Sequence, residues 1–232
     1  MSEATASRVV TEYAWQGPRR GIDRAVLLAH GAGSDMHGAA LLAVADALAD
    51  RGIPSLRFNY PYRSAGRNAP DRPKVLDAAT REAAAELARR AKLPSARLVL
   101  GGRSMGGRYC SMVVGAAVDP VESLGLLMLS YPLHAAGKPD QQRVEHFPNI
   151  RVPVLFVSGT RDALAGKEAL TRAARTIKGR SARERASFHW IETADHGYRP
   201  LKASGRTLQE VLDEVAEVSA NWVAALAPQG HG

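Results

Sequence analysis

One pentapeptide constrains this 232-residue chain more than any other feature: Gly102-Arg103-Ser104-Met105-Gly106. The run before it, Arg97 to Leu100, reads as a buried strand. The run after it, from Met105 to about Val118, reads as a helix. Gly-x-Ser-x-Gly at such a junction describes a nucleophile elbow, in which the serine sits on a tight, strained turn and projects its hydroxyl above a sheet. The flanking glycines let neighbouring backbone pack where a Cβ would collide.

An elbow of this kind predicts two partners further along, in the order Ser, acid, His. Val152 to Gly159 reads as a strand running into a loop, and Asp162 lies just past it. Ala186 to Ile191 is a further strand, followed by Ala194-Asp195-His196-Gly197. Ser104, Asp162 and His196 thus each follow the C-terminal end of a predicted strand, the edge where open α/β sheets build their sites. Taken singly, each has an ordinary reading: a turn serine, a helix-capping or turn aspartate, a solvated loop histidine. The joint placement favours a Ser-His-Asp triad. Asp195 is a rival for the acid, ranked below Asp162 because adjacent side chains point apart.

A tetrahedral oxyanion would need donors. The backbone N–H of Met105, directly after the serine, is one candidate. The other is that of Ala32 in His30-Gly31-Ala32-Gly33, which ends an early apolar strand, Ala25 to Ala29. His30 is expected to pack beneath that turn rather than to react. Cys110 is expected to be a small buried hydrophobe. Tyr62, Arg63 and Arg67 fall in a polar loop on the active edge and could bind a carboxylate or phosphate of a substrate, or be plain surface. Arg103 has two open uses, toward an anionic substrate or over the elbow. No His/Cys/carboxylate group has metal-ligand spacing and no phosphate-cradling Gly-rich motif occurs, so no metal or other cofactor is expected.

Strands alternate with helices along the chain. Strand-like runs are Arg8–Trp15, Ala25–Ala29, Ser55–Tyr60, Arg97–Leu100, Leu124–Ser130, Val152–Gly159 and Ala186–Ile191. Helical patterns cover Met36–Ala49, Lys74–Lys92, Met105–Val118, Leu164–Lys178 and Leu208–Leu226. This order predicts an α/β fold, a mostly parallel sheet flanked by helices on both faces. With no repeat or linker in view, residues 1–232 read as one domain with short flexible tails at about 1–7 and 228–232. Tyr60 to Pro73 reads as a long loop. Pro132 to Pro148 reads as a polar connection too short for a helical cap domain, leaving the site open or screened by loops.

The single cysteine rules out an intramolecular disulfide and fits a reducing compartment. The N-terminus lacks the apolar core of a signal peptide. The longest apolar stretch, around Leu124 to Leu133, is too short to span a bilayer, so a cytoplasmic protein without membrane partners is expected. The net charge of +8 raises nucleic acid as a partner. Yet the densest basic cluster, Arg172, Arg175, Lys178, Arg180, Arg183 and Arg185, has no interleaved aromatics, and it reads as a solvated helix face and the loop after it.

With these residues in view, the chain resembles small lidless α/β-hydrolases of the dienelactone-hydrolase-like branch. It is most similar to bacterial hydrolases related to a testis-expressed protein and to a subunit of a chromatin acetyltransferase complex. The segments carrying the resemblance are His30 to Gly33, Phe58 to Tyr62, Arg67 to Arg72, Gly102 to Arg108, Ser158 to Asp162 and Ala194 to His196. True dienelactone hydrolases use a cysteine nucleophile where this chain has Ser104, which sets their particular substrate aside. The resemblance implies the fold and a reaction class. The combined reading is a serine hydrolase acting on a carboxylic ester or related acyl bond of a small-molecule substrate. A non-catalytic interaction module on a hydrolase scaffold, and an acyltransferase or perhydrolase using the same triad, remain open alternatives, as does a homo-oligomer.

Overall fold

The computed structural model describes residues 11–179, 181 and 185–227. The expected tails, the first three residues of the expected Arg8–Trp15 strand, and Arg180 and Arg183 of the basic cluster lie outside them.

Seven strands form one sheet: β1 (Tyr13–Gln16), β2 (Ala25–Ala29), β3 (Ser55–Phe58), β4 (Leu98–Arg103), β5 (Gly125–Leu129), β6 (Val154–Gly159) and β7 (Ala186–Ile191). Their spatial order is β1-β3-β2-β4-β5-β6-β7. Only β1 runs antiparallel, against β3, and every other pair is parallel. The helices are α1 (Ala39–Asp50), α2 (Pro61–Ser64), α3 (Pro73–Ala91), α4 (Met105–Val114), α5 (Lys167–Ala174) and α6 (Leu208–Ala225).

The central strands β2 and β5 are buried at every position because helices cover both faces of the sheet. Alternation along β2 divides the core. Ala25, Leu27 and Ala29 pack with buried residues of α3, α4 and α5. Val26 and Leu28 pack with those of α1 and α6. Helix α6 begins with a capping box, in which Thr207 and the Glu210 side chain each satisfy the other's backbone N–H. Among the described residues no helix is long and apolar enough to cross a membrane.

Several expected boundaries move. The sequence between Tyr60 and Pro73 is not all loop: Pro61 starts the short α2, its preset φ suiting a first helical position. Pro73 starts α3 for the same reason, one residue before the expected Lys74. The first helix begins at Ala39 rather than Met36, because Gly38 stands as its N-cap and the preceding residues turn back on themselves. Helices α4 and α5 are shorter than their patterns suggested, since Gly115 caps α4 and α5 passes into turns after Ala174. The connection after β5 carries only a three-residue 3-10 turn, Phe147–Asn149, before β6. Arg172, Arg175, Lys178 and Arg185 are exposed, as a solvated face requires.

Candidate active site

The elbow is built by interlocking backbone. Gly102 lies near the end of β4 against β2, and Gly106 lies in the first turn of α4 against the same strand. A Cβ on either would overlap the Ala29 carbonyl oxygen. Between them Ser104 has φ 51° and ψ −117°, a conformation that costs a non-glycine residue about 1–3 kcal/mol. Its N–H donates to the Leu129 carbonyl of β5 at 2.8 Å, and its own carbonyl accepts from Arg108 N–H at 3.0 Å. The strained residue is thus held from both sides while its side chain stays clear of the sheet.

That side chain meets the histidine. Ser104 Oγ lies 2.9 Å from His196 Nε2. On the far side of the imidazole, Nδ1 lies 3.0 and 2.8 Å from Oδ1 and Oδ2 of Asp162. Asp162 is 4% exposed, and its Oδ1 also accepts the Leu164 N–H at 2.8 Å. An ionised carboxylate only accepts, so Nδ1 carries the proton and Nε2 is free to accept from the serine hydroxyl.

The rival Asp195 is occupied elsewhere. Its Oδ1 accepts the N–H groups of Gly197 and Arg199 at 2.7 and 2.9 Å, closing the turn that carries His196. That turn is clamped by two more side chains. Arg103 donates to the His196 carbonyl at 3.0 Å. The buried Tyr198 donates from its hydroxyl to the Val157 carbonyl of β6 at 2.8 Å. The acid and histidine loops are also joined by backbone, through Arg161 N–H to the Ala194 carbonyl at 2.9 Å.

His30 packs as expected. It is fully buried, Nδ1 donates to the Gly31 carbonyl at 2.8 Å, and Nε2 accepts the Tyr60 N–H at 3.1 Å. Burial pushes its pKa down, so the ring is neutral. Cys110 is buried too, its thiol donating to the Gly101 carbonyl at 3.3 Å and pushed up to about 12 by burial.

Ala32 and Met105 line the same cleft as Ser104, a space of about 550 Å³. Met105 is the first residue of α4, so its N–H has no intrahelical acceptor. The positive end of the helix dipole points to the same place.

Three sequence expectations need correction. Tyr62 does not face the cleft: it is fully buried, and its hydroxyl donates to the Ala32 carbonyl at 2.8 Å, anchoring the loop that presents Ala32. Arg63 turns to Asn68 Oδ1 at 2.8 Å and to Asp35 at 3.6 Å, away from the cleft lining. Arg103 does not line this cleft: its Nη2 donates to the His196 carbonyl, and the residue lines a cavity beside His196 instead. Arg67 is likewise spent, on Asp71 at 2.6 Å. The side chains that do share the cleft with Ser104 include Arg108, Tyr109, His134, Arg143 and Leu164. Of these, Arg108 carried a readable signal, since i and i+4 share a helix face. Arg143 and Tyr198 carried none. A second cavity, of about 520 Å³, opens beside His196 and is lined by Gly31, Arg103, Asp195 and Leu208 among others.

Comparison with known proteins supports the architecture. Residues 22–224 match the family model of the alpha/beta hydrolase domain. Among solved structures, a dienelactone hydrolase from Anabaena variabilis superposes with a TM-score of 0.68 at 17% identity, covering 95% of this chain and 94% of that one. A thermophilic esterase from Thermogutta terrifontis gives 0.64 at 19% identity, with coverage of 98% and 94%. A serine hydrolase without a lid from Xanthomonas campestris gives 0.60 at 19% identity, with coverage of 94% and 91%. The chain belongs to the alpha/beta hydrolase domain family.

Proposed function

We propose that this member of the alpha/beta hydrolase family is a serine hydrolase that cleaves a carboxylic ester or related acyl bond through an acyl-enzyme. The carrying observation is the continuous chain Ser104 Oγ–His196 Nε2 at 2.9 Å and His196 Nδ1–Asp162 Oδ2 at 2.8 Å, with the serine at positive φ.

In this reading His196 Nε2 takes the Ser104 proton as Oγ attacks the substrate carbonyl. Asp162 keeps the imidazole in the accepting tautomer and stabilises the imidazolium. The N–H groups of Ala32 and Met105 receive the oxyanion, a contribution of about 3–4 kcal/mol for each donor in comparable sites. His196 then returns the proton to the leaving oxygen. Water repeats the sequence on the acyl-enzyme and releases the acid. Tyr62, Arg103, Asp195 and Tyr198 are positioning residues that hold the Ala32 loop and the imidazole in place.

The test is intact-mass detection of fluorophosphonate labelling, run beside a panel of short acyl esters. One adduct on the wild type, none on Ser104→Ala and slow labelling of His196→Ala is the expected pattern. A folded wild type that takes no adduct and cleaves no ester sinks the proposal and leaves the non-catalytic scaffold in its place. Adding hydroxylamine as a competing acceptor separates hydrolysis from acyl transfer, since a transferase would divert most product to the hydroxamate.

A further inference from the structure

The cleft beside Ser104 holds positive charge that the proposed reaction does not use. Arg108 lies four residues beyond Ser104 in α4. Arg143 reaches the cleft from the connection after β5, and both line it together with Ser104, Ala32 and Met105. Among the described residues neither arginine lies within ion-pairing distance of a carboxylate. The Arg108 guanidinium sits 5.5 Å from the centre of the Tyr109 ring, which also lines the cleft. Its Nε is buried without a protein acceptor.

The acid in the lining does not balance the pair. The one acid there among the described residues, Asp71, accepts from Arg67 at 2.6 Å through Oδ1 while its Oδ2 is buried without a protein partner, so two arginines face a single carboxylate and the lining stays net positive. His134 turns its Nδ1 to the Ala135 carbonyl at 2.9 Å. Two guanidinium groups beside a reactive serine match a planar carboxylate, whose two oxygens accept several N–H bonds at once.

The geometry also says which half of the substrate meets them. The leaving group must take its proton from His196 Nε2, and His196 lines the second cavity rather than this one. The leaving group therefore departs on that side, and the acyl chain occupies the cleft of Arg108 and Arg143. Resting on the serine-hydrolase reading above, we infer that the protein selects acyl groups that end in a carboxylate, the monoesters of short dicarboxylic acids. Water cleaves the ester bond to give the diacid and the alcohol, while the distal carboxylate is bound unchanged.

The experiment compares kcat/KM for mono-4-nitrophenyl adipate and for its distal methyl ester, read as nitrophenolate release. The wild type is expected to favour the free carboxylate by about 10-fold or more, mainly through KM and less so at high salt. Arg143→Gln and Arg108→Gln should each reduce that ratio several-fold, and Arg143→Glu should invert it. Arg143 stands on an irregular connection and Arg108 within α4, so thermal melts identify any variant that fails to fold and the other then decides. A wild-type ratio of one or less, or a ratio unchanged in the folded variants, overturns the inference. If neither ester is cleaved, a fluorophosphonate adduct on Ser104 means that the acyl specificity alone is wrong. Absence of the adduct means that the catalytic reading has failed and this inference with it.

Discussion

Ser104 and His196 reach one hydrogen bond from opposite kinds of structure. The serine is held by backbone: β4 and α4 press Gly102 and Gly106 onto Ala29, and the elbow leaves no room for a Cβ at either. The histidine is held by side chains, two of them from its own turn and two from distant points in the chain. Arg103 holds its carbonyl, Asp195 closes its turn, Tyr198 ties the turn to β6, and Asp162 fixes its ring. A backbone interlock tolerates no substitution but writes itself plainly in the sequence. A side-chain clamp spreads the work over several residues, none of which looks special alone.

This contrast can be broken at either end. Ser104→Ala should remove the fluorophosphonate adduct and lower ester turnover by about 10⁴-fold or more, with the melting temperature little changed. If turnover survives, the elbow does not present the nucleophile. Gly106→Ala should cost about 4 kcal/mol or more of stability in denaturant unfolding, because its Cβ would meet strand backbone rather than a movable side chain. A near-neutral result would mean that the interlock is looser than its geometry implies.

The helix behind the elbow should also be acid-sensitive. His146 Nε2 lies 2.8 Å from Ser111 Oγ of α4, and that hydroxyl donates to the Arg108 carbonyl. Burial first, then the positive charge of Arg108, holds the His146 pKa down at about 4 from an ordinary 6.5. The unfolded chain therefore binds this proton below about pH 6.5, whereas the folded chain resists it until about pH 4. Stability from this group is intact above pH 6.5 and falls toward pH 4, by about 3 kcal/mol in all. His146→Gln should flatten that part of the acid limb, measured as the difference between wild-type and variant unfolding curves from pH 7 to 4. Parallel curves would show that His146 is not the source.

The clamp predicts smaller and separable effects. Arg103→Met should lower kcat about 10-fold by releasing the His196 carbonyl, with a stability loss of only about 1 kcal/mol. Tyr198→Phe removes one of the two donors to the Val157 carbonyl, the Ser130 N–H remaining, and should cost about 1 kcal/mol in stability, with a kcat change smaller than that of Arg103→Met. Should Arg103→Met leave kcat untouched, the histidine loop would be held well enough by Asp195 and Tyr198 alone.

The order of strands and helices was legible because periodicity is local: the uniformly buried run Ala25–Ala29 announces a strand covered on both faces. Ser104 was legible because its turn demands glycines at fixed offsets. Asp162 and His196 were legible through chain order and the strands before them. The starts of α2 and α3 were not, since prolines in a polar stretch read equally well as loop. Tyr62, Arg63 and Arg67 were misplaced for one shared reason. Each side chain found an intramolecular acceptor instead: the Ala32 carbonyl for Tyr62, Asn68 and Asp35 for Arg63, and Asp71 for Arg67.

By itself the sequence determined the α/β layering, the elbow and the order of its three chemical groups, because each depends on residue type at short spacing. The tertiary structure alone decided which acid meets the imidazole, which side chains brace it and which arginines are left facing the cleft. Those outcomes depend on how residues far apart in the chain compete for the same few acceptors once the sheet has brought its strand ends together.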